Sequence, residues 1–237
     1  MSAADDPDAP PASDTPVRRR DLAVARSLDS ARVRSEGRVQ RFLDAGFELL
    51  ASAESGRDFT VQEVVDRSGQ SLRSFYQYFA GKHELLLALF DEAIRSTAER
   101  LEDQLAKERT PLDRLHRFVV EYYRMCLPAP RGRASKNNPT PVLAEFCHQL
   151  LTAHHEEASR AFVPLVALLE KTLADAVEAG DVRSSYGGED VAGGILSTIM
   201  FNAAYASTIS GTEPTDATHA ADEMWEFVAR GIASGTK

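Results

Sequence analysis

Cysteine is scarce in this chain: only Cys126 and Cys147 occur among 237 residues. Neither a disulfide framework nor a zinc cluster can organise the fold from two thiols without metal-binding spacing, and both are expected to be core thiols. Long apolar runs are missing as well. No stretch of about 18 or more apolar residues occurs, which excludes a membrane-spanning helix. The opening residues, MSAADDPDAPPASD, are acidic and lack the apolar centre of a secretory signal, so a cytoplasmic protein is expected. No G-x-S-x-G, P-loop or G-x-G-x-x-G pattern is present; hence no catalytic residue and no cofactor is assigned. Nothing in residues 86–237 alternates with period two for long, which argues against strands and for an all-α class.

The net charge is −9, an unpromising sum for a chain that handles nucleic acid, but its distribution is uneven. Residues 1–16 carry four acids and no base, whereas residues 17–41 carry eight arginines against three acids; residues 42–85 come to −3 and residues 86–237 to −7. The acidic remainder repels phosphates and confines any nucleic-acid contact to a small footprint. Residues 1–16, rich in Pro, Asp, Ala and Ser, bury too little apolar surface to order themselves and read as a disordered tail. Residues 21–34 carry the weak stripe Leu22, Ala25, Leu28 and Val33, enough for a marginal helix. With Arg18, Arg19 and Arg20 this segment is either a solvated linker or an arginine-bearing arm for DNA.

The most informative stretch is Thr60 to Leu89, TVQEVVDRSGQSLRSFYQYFAGKHELLLAL. Thr60 is placed to cap a helix, with Glu63 three residues on to close a capping box and Val61, Val64 and Val65 as its apolar stripe. Gly69 can take the left-handed conformation that ends this helix and turns the chain. Ser71 caps the next helix, in which Phe75 and Phe79 share a buried face while Leu72, Arg73, Ser74 and Gln77 reach outward. Lys82 then starts a long helix with the stripe Leu85, Leu86, Leu89, Phe90 and Ile94. This is a helix-turn-helix. Ahead of it, Arg38 to about Ala53 reads as the first helix of the unit, ended by Gly56; its Ala45-Gly46 pair admits close approach of another helix, expected to be the recognition pair.

Thr60-Val61, Gly69, Ser71, Phe75-Tyr76-Gln77-Tyr78-Phe79, Lys82 and Leu85 together resemble the DNA-binding domain of TetR-family transcriptional regulators. The chain departs from that family's pattern at Gln70, Arg73 and Tyr78. The resemblance implies that Ser71, Leu72, Arg73 and Ser74 face the major groove. It implies also that Tyr76, Tyr78 and Lys82 meet phosphates, with Thr60, Gln62 and Gln77 completing the DNA-facing set. The chemistry suits these roles: arginine can offer a fork to guanine, glutamine can pair with adenine, and hydroxyls and helix N-termini suit phosphates.

Beyond this unit, helices are expected from Lys82 to about Arg109, solvated past residue 95 as a connector, and from Pro111 to a stop at Pro128. Three-turn and longer segments follow from Val142 to about Ala153, His155 to Ala179 with a kink at Pro164, Glu189 to Ile209, and Asp216 to Ala233. In the family this helical part encloses an apolar effector cavity; Phe118, Tyr122, Met125, Phe146, Phe162, Met200, Phe201 and Tyr205 are the candidates, most of them core, and the resemblance implies that some of them line it. The loop bases Arg131, Arg133 and Lys136 are either solvated or receive an anionic head group such as a phosphate-bearing thioester. His148, His154 and His155 lie near Glu145, Cys147, Glu156 and Glu157, yet only His148 shares a helix with Glu145 and Cys147 in a suitable position, so no metal is expected.

The expected layout is an N-terminal extension (1–36), a three-helix DNA-binding domain (37–85) and a helical ligand-binding and dimerisation domain (86–237). The expected activity is that of a homodimeric repressor, released from a palindromic double-stranded operator by a small lipophilic effector. The dimer would form through the last two helices, where Gly193-Gly194 and Ile195, Ile199, Trp225, Phe227, Val228 and Ile232 exceed the needs of one core. An activator or effector-independent DNA-binding protein of the same shape is the alternative, and an all-α enzyme or ligand-binding module a more distant one.

Overall fold

The computed structural model describes residues 19–52, 59–127, 141–186, 189–211 and 217–234, and the regular elements among them are helices. They are α1 (Arg19–Ser52), α2 (Val61–Ser68), α3 (Leu72–Tyr78), α4 (Lys82–Leu105), α5 (Pro111–Cys126), α6 (Pro141–Ala153), α7 (His155–Glu178), α8 (Glu189–Ser210) and α9 (Ala217–Ile232), with a 3₁₀ turn at Ser184–Tyr186. The tail 1–16, Arg18, Gly56 and the loop bases Arg131, Arg133 and Lys136 lie outside the described residues.

The chain divides into two units, Met1–Arg41 and Phe42–Lys237. In the first, residues 19–41 are helical throughout and belong to one 34-residue helix, where two separate segments were expected. Gly37 alone costs a helix only about 1 kcal/mol relative to alanine, and Arg32 ties this stretch together through Asp29 (3.3 Å) and Glu36 (3.8 Å). Leu22, Val24, Leu28 and Val33 are exposed.

In the second unit, the start is built on aromatic packing. Phe42, Phe75 and Phe79 meet with ring centroids 5.4–6.0 Å apart, Phe42 standing edge-on to the other two. Such pairs add about 0.5–1.5 kcal/mol each beyond the burial of their rings; Val64, Val65, Leu85 and Leu89 are buried as well. Gly46 fits here for a different reason from the one expected: a Cβ on it would stand 2.8 Å from a methyl of Leu89, so the small residue admits α4 and not the recognition pair.

α4 runs on from that cluster. Its second half is not the solvated connector expected from its polar composition: Ala98, Leu101 and Leu105 recur at helical spacing and are buried in the main core. The polar majority is on the outer face, where Arg95 pairs with Glu92 (2.6 Å) and Glu99 (2.5 Å). α4 packs on α5, α6 and α7, α7 packs on α5 and α8, and α5 also meets α8 and α9. Pro164 lies inside α7, which continues through it.

The dimer set needs correction. Ile195, Ile199, Val228 and Ile232 are buried within the subunit's own core, and Trp225 packs against that core with its ring 4.9 Å from His116 of α5. Of the six, Phe227 is exposed, and it is joined at the surface by Phe201, Tyr205 and Ile209. The C-terminal end of α9 is clasped to the link after α7: Arg183 donates its backbone N–H to the Ile232 carbonyl (3.0 Å), and Ser234 donates to that of Asp181 (3.1 Å). An isolated antiparallel bridge joins Val182 to Ala233 at that point.

Candidate nucleic-acid interface and effector region

The helix-turn-helix is fixed by local hydrogen bonds. The Thr60 hydroxyl accepts the Glu63 N–H (3.2 Å) and the Glu63 carboxylate accepts the Thr60 N–H (2.7 Å), closing the capping box. Gly69 has φ 63° and ψ 23°, and its N–H and that of Gln70 return to the Asp66 and Val65 carbonyls (3.4 and 3.3 Å). The Ser71 hydroxyl accepts the Ser74 N–H (3.1 Å) and caps α3. With the turn set, Phe75 and Phe79 are held inward, and Leu72, Arg73, Tyr76 and Gln77 are exposed on the opposite side of α3.

Ser74 is the exception within the expected groove-facing set. Its hydroxyl is buried and has no hydrogen-bond partner, because position 74 lies beside Phe75 on the inward edge of a seven-residue helix. Tyr78 is half-buried; Thr60 is exposed, with its hydroxyl and N–H taken up by Glu63. Gln62 is exposed and donates to the Asp66 carboxylate (2.7 Å), a bond it must exchange to reach DNA. Lys82 opens α4 with its ammonium 4.9 Å above the Phe59 ring, close enough for cation–π attraction. The side chain that holds this cation on the protein, Phe59, did not stand out in the sequence.

The expected effector residues fall into separate places. Phe118 and Tyr122 are neighbours in the core, with ring centroids 5.9 Å apart; Met125 and Phe162 are half-buried against that core. Phe146 and Phe162 each meet Phe90 (6.3 and 5.7 Å), which makes Phe90 of α4 the hinge of an α6–α4–α7 aromatic row and a residue that sequence reading placed only in a stripe. Met200 is half-buried. Phe201 and Tyr205 are stacked at the surface (5.7 Å) and line an open, apolar depression along α8 with Thr198, Asn202, Ala206 and Ile209. A second open depression lies between α8 and α9, beside Gly194 and Phe227.

The two thiols are not poised for reaction. Burial pushes Cys126 up to about 12 and Cys147 up to about 11, and burial also holds the Tyr122 hydroxyl, a hydrogen-bond partner of Cys126, well above its usual range. Both remain thiols at neutral pH, as inert core groups do. Among the described residues, no helix is long and apolar enough to cross a membrane.

A family model described as bacterial regulatory proteins, tetR family, matches residues 42–89, the stretch just built from Phe42 to Leu89. No curated protein matches the chain. Solved structures resemble it in fold. The fatty acid degradation regulator FadR from Bacillus halodurans is 14% identical, with 82% of this chain and 95% of that one covered and a TM-score of 0.58. Reduced NemR from E. coli is 16% identical over 85% and 100% of the two chains, also at 0.58. FadR from Thermus thermophilus, a TetR-family repressor solved with lauroyl-CoA, is 19% identical over 84% and 97%, again at 0.58.

Proposed function

We propose, from the premise that this chain belongs to the TetR family of bacterial transcriptional regulators, that it is a homodimeric repressor released from a palindromic operator by a small lipophilic effector. The observation that carries the reading is the cap-turn-cap geometry of Thr60, Gly69 and Ser71, which presents Leu72, Arg73, Tyr76 and Gln77 outward from α3. In this reading residues 37–85 bind DNA and residues 86–237 bind the effector and the second subunit. Arg73 reads a base, Lys82 and Tyr76 anchor on phosphates, and the arginine-bearing residues 19–41 lie along flanking DNA. The second subunit covers the exposed apolar residues of α8 and α9, Phe201, Tyr205, Ile209 and Phe227.

The effector reading draws support from the aromatic row around Phe90 and from the lauroyl-CoA seen in the Thermus thermophilus structure, which is an apolar chain on an anionic carrier. α4 is the mechanical link: its first half buries Leu85 and Leu89, with Leu89 against Gly46 of α1, and its second half is core through Leu101 and Leu105. An effector that fits one tilt of α4 shifts the separation of the two recognition helices, and by linkage the operator must disfavour that effector by the same factor, about 5–150-fold for a coupling of about 1–3 kcal/mol. Calorimetric titration of a candidate effector such as lauroyl-CoA, with and without operator DNA, tests this. An effector whose dissociation constant is the same in both titrations would remove the release mechanism while leaving DNA binding intact.

A further inference from the structure

Three side chains that the DNA-binding reading does not use converge where α4 begins. His83 is the second residue of α4, His154 is the N-cap of α7 and Glu157 lies in the first turn of α7. One donor atom from each lies within 4.8 Å of the others. His83 Nε2 is 3.3 Å and His154 Nδ1 is 3.6 Å from the same Glu157 oxygen, Oε2. The two imidazoles are 5.2 Å apart, and His83 is steadied from the other side by Phe146 at 5.4 Å. His154 does not use its side chain to cap α7, which leaves the ring available to the cluster.

We propose that His83, His154 and Glu157 form a regulatory site for a divalent transition metal of the zinc, cobalt or nickel type. Two neutral imidazoles and one carboxylate are the donor set such ions take, with the remaining position left to water. Donors on a tetrahedral ion with bonds of about 2.0–2.1 Å stand about 3.3–3.4 Å apart, close to the two contacts measured to Glu157, and a modest turn of one ring brings in the third. All three side chains are partly exposed, so an ion can enter and leave. The N-termini of α4 and α7 both direct partial positive charge at the site, which opposes a cation and makes the site weaker than a closed structural one.

The position gives the ion a consequence. His83 adjoins Lys82 and the helix-turn-helix, whereas His154 and Glu157 belong to the α6–α7 junction of the helical body. A bound ion ties the first turn of α4 to that junction and restrains the tilt of α4, so occupancy changes operator affinity. This second step rests on the DNA-binding reading; the metal site itself does not.

The test uses untagged full-length protein and cobalt(II), whose tetrahedral complexes absorb in the visible, followed by zinc competition. The wild type is expected to bind one ion with a visible band that zinc removes, and His83→Gln and Glu157→Gln to weaken binding at least about tenfold. His116, His148, His155 and His219 remain in both variants, so adventitious surface binding would give the same signal in all three proteins and would overturn the site. Absence of saturable binding to the wild type would overturn it too. Circular dichroism checks that these variants of partly exposed residues are folded. In the second arm, zinc is expected to shift the operator dissociation constant of the wild type and not of His83→Gln; metal binding with unchanged operator affinity would leave a site without the regulatory role and refute that half.

Discussion

Replacing Arg26, Arg34, Arg38 and Arg41 together by glutamine separates a DNA-contacting arm from a solvated leader. At 100° per residue these four fall within an arc of about 120° on α1, with Asp21, Asp29 and Glu36 on the far side. All four are exposed, and Arg26, Arg34 and Arg38 make no ion pair with any described residue. Arg32 differs, since it is the arginine turned to the acidic side and held by Asp29 and Glu36. If each of the four meets one phosphate, the quadruple variant loses about 3.6 from the slope of log affinity against log salt, at about 0.9 per contact. Between 50 and 200 mM salt the wild type should then lose roughly 150-fold more affinity than the variant, by the same relation. Fluorescence anisotropy on a duplex enriched from random sequence, across a salt series, measures it. Arg32→Gln removes the same kind of charge from the other face and is expected to leave the slope unchanged. Equal slopes for wild type and quadruple variant, or an equal loss from Arg32→Gln, would refute the arm.

Other consequences are local. Gly46→Val drives branched methyls into Leu89 and is expected to destabilise the protein by about 1–3 kcal/mol in chemical denaturation, with Leu89→Ala in the same chain recovering part of the loss. Phe227→Glu replaces the exposed apolar side chain of α9 by a charge and should give monomers by sedimentation with unchanged thermal stability of the subunit; a persistent dimer would move the interface elsewhere. At pH 8 a thiol raised to about 11 is roughly one part in a thousand thiolate, against about a quarter for an ordinary thiol, so Cys147 should alkylate some hundredfold more slowly in the folded chain than after denaturation.

The helix-turn-helix was legible because its determinants are neighbours in sequence. Thr60 finds Glu63, Gly69 frees the turn and Ser71 finds the N–H of Ser74, all within a few residues. What failed were readings that depend on which of two apolar faces turns inward. α8 is apolar around most of its circumference, so Ile195 and Ile199 could not be told from Phe201 and Tyr205 by pattern, and the core took the first pair while the surface kept the second. The polar face of α4 likewise concealed the buried Leu101 and Leu105. His83 and Glu157 are 74 positions apart, and their meeting depends on the packing of α4 against α6 and α7, which no local motif records. His154 and Glu157 could be seen as near neighbours in the sequence; the third donor could not.

The clasp at Ala233 has a bearing on the order in which this protein comes into being. α9 docks on α5 across roughly a hundred residues of chain, and its end is locked by the Arg183 N–H donating to the Ile232 carbonyl and the Ser234 N–H, just past the helix, donating to that of Asp181. The helix-turn-helix, by contrast, closes over short spans near the start and can form while the rest is still being made. A growing chain therefore carries a reading head well before it has the helix that completes its core. On the proposed pairing through α8 and α9, only finished chains can dimerise, and partially synthesised copies present one head at a time.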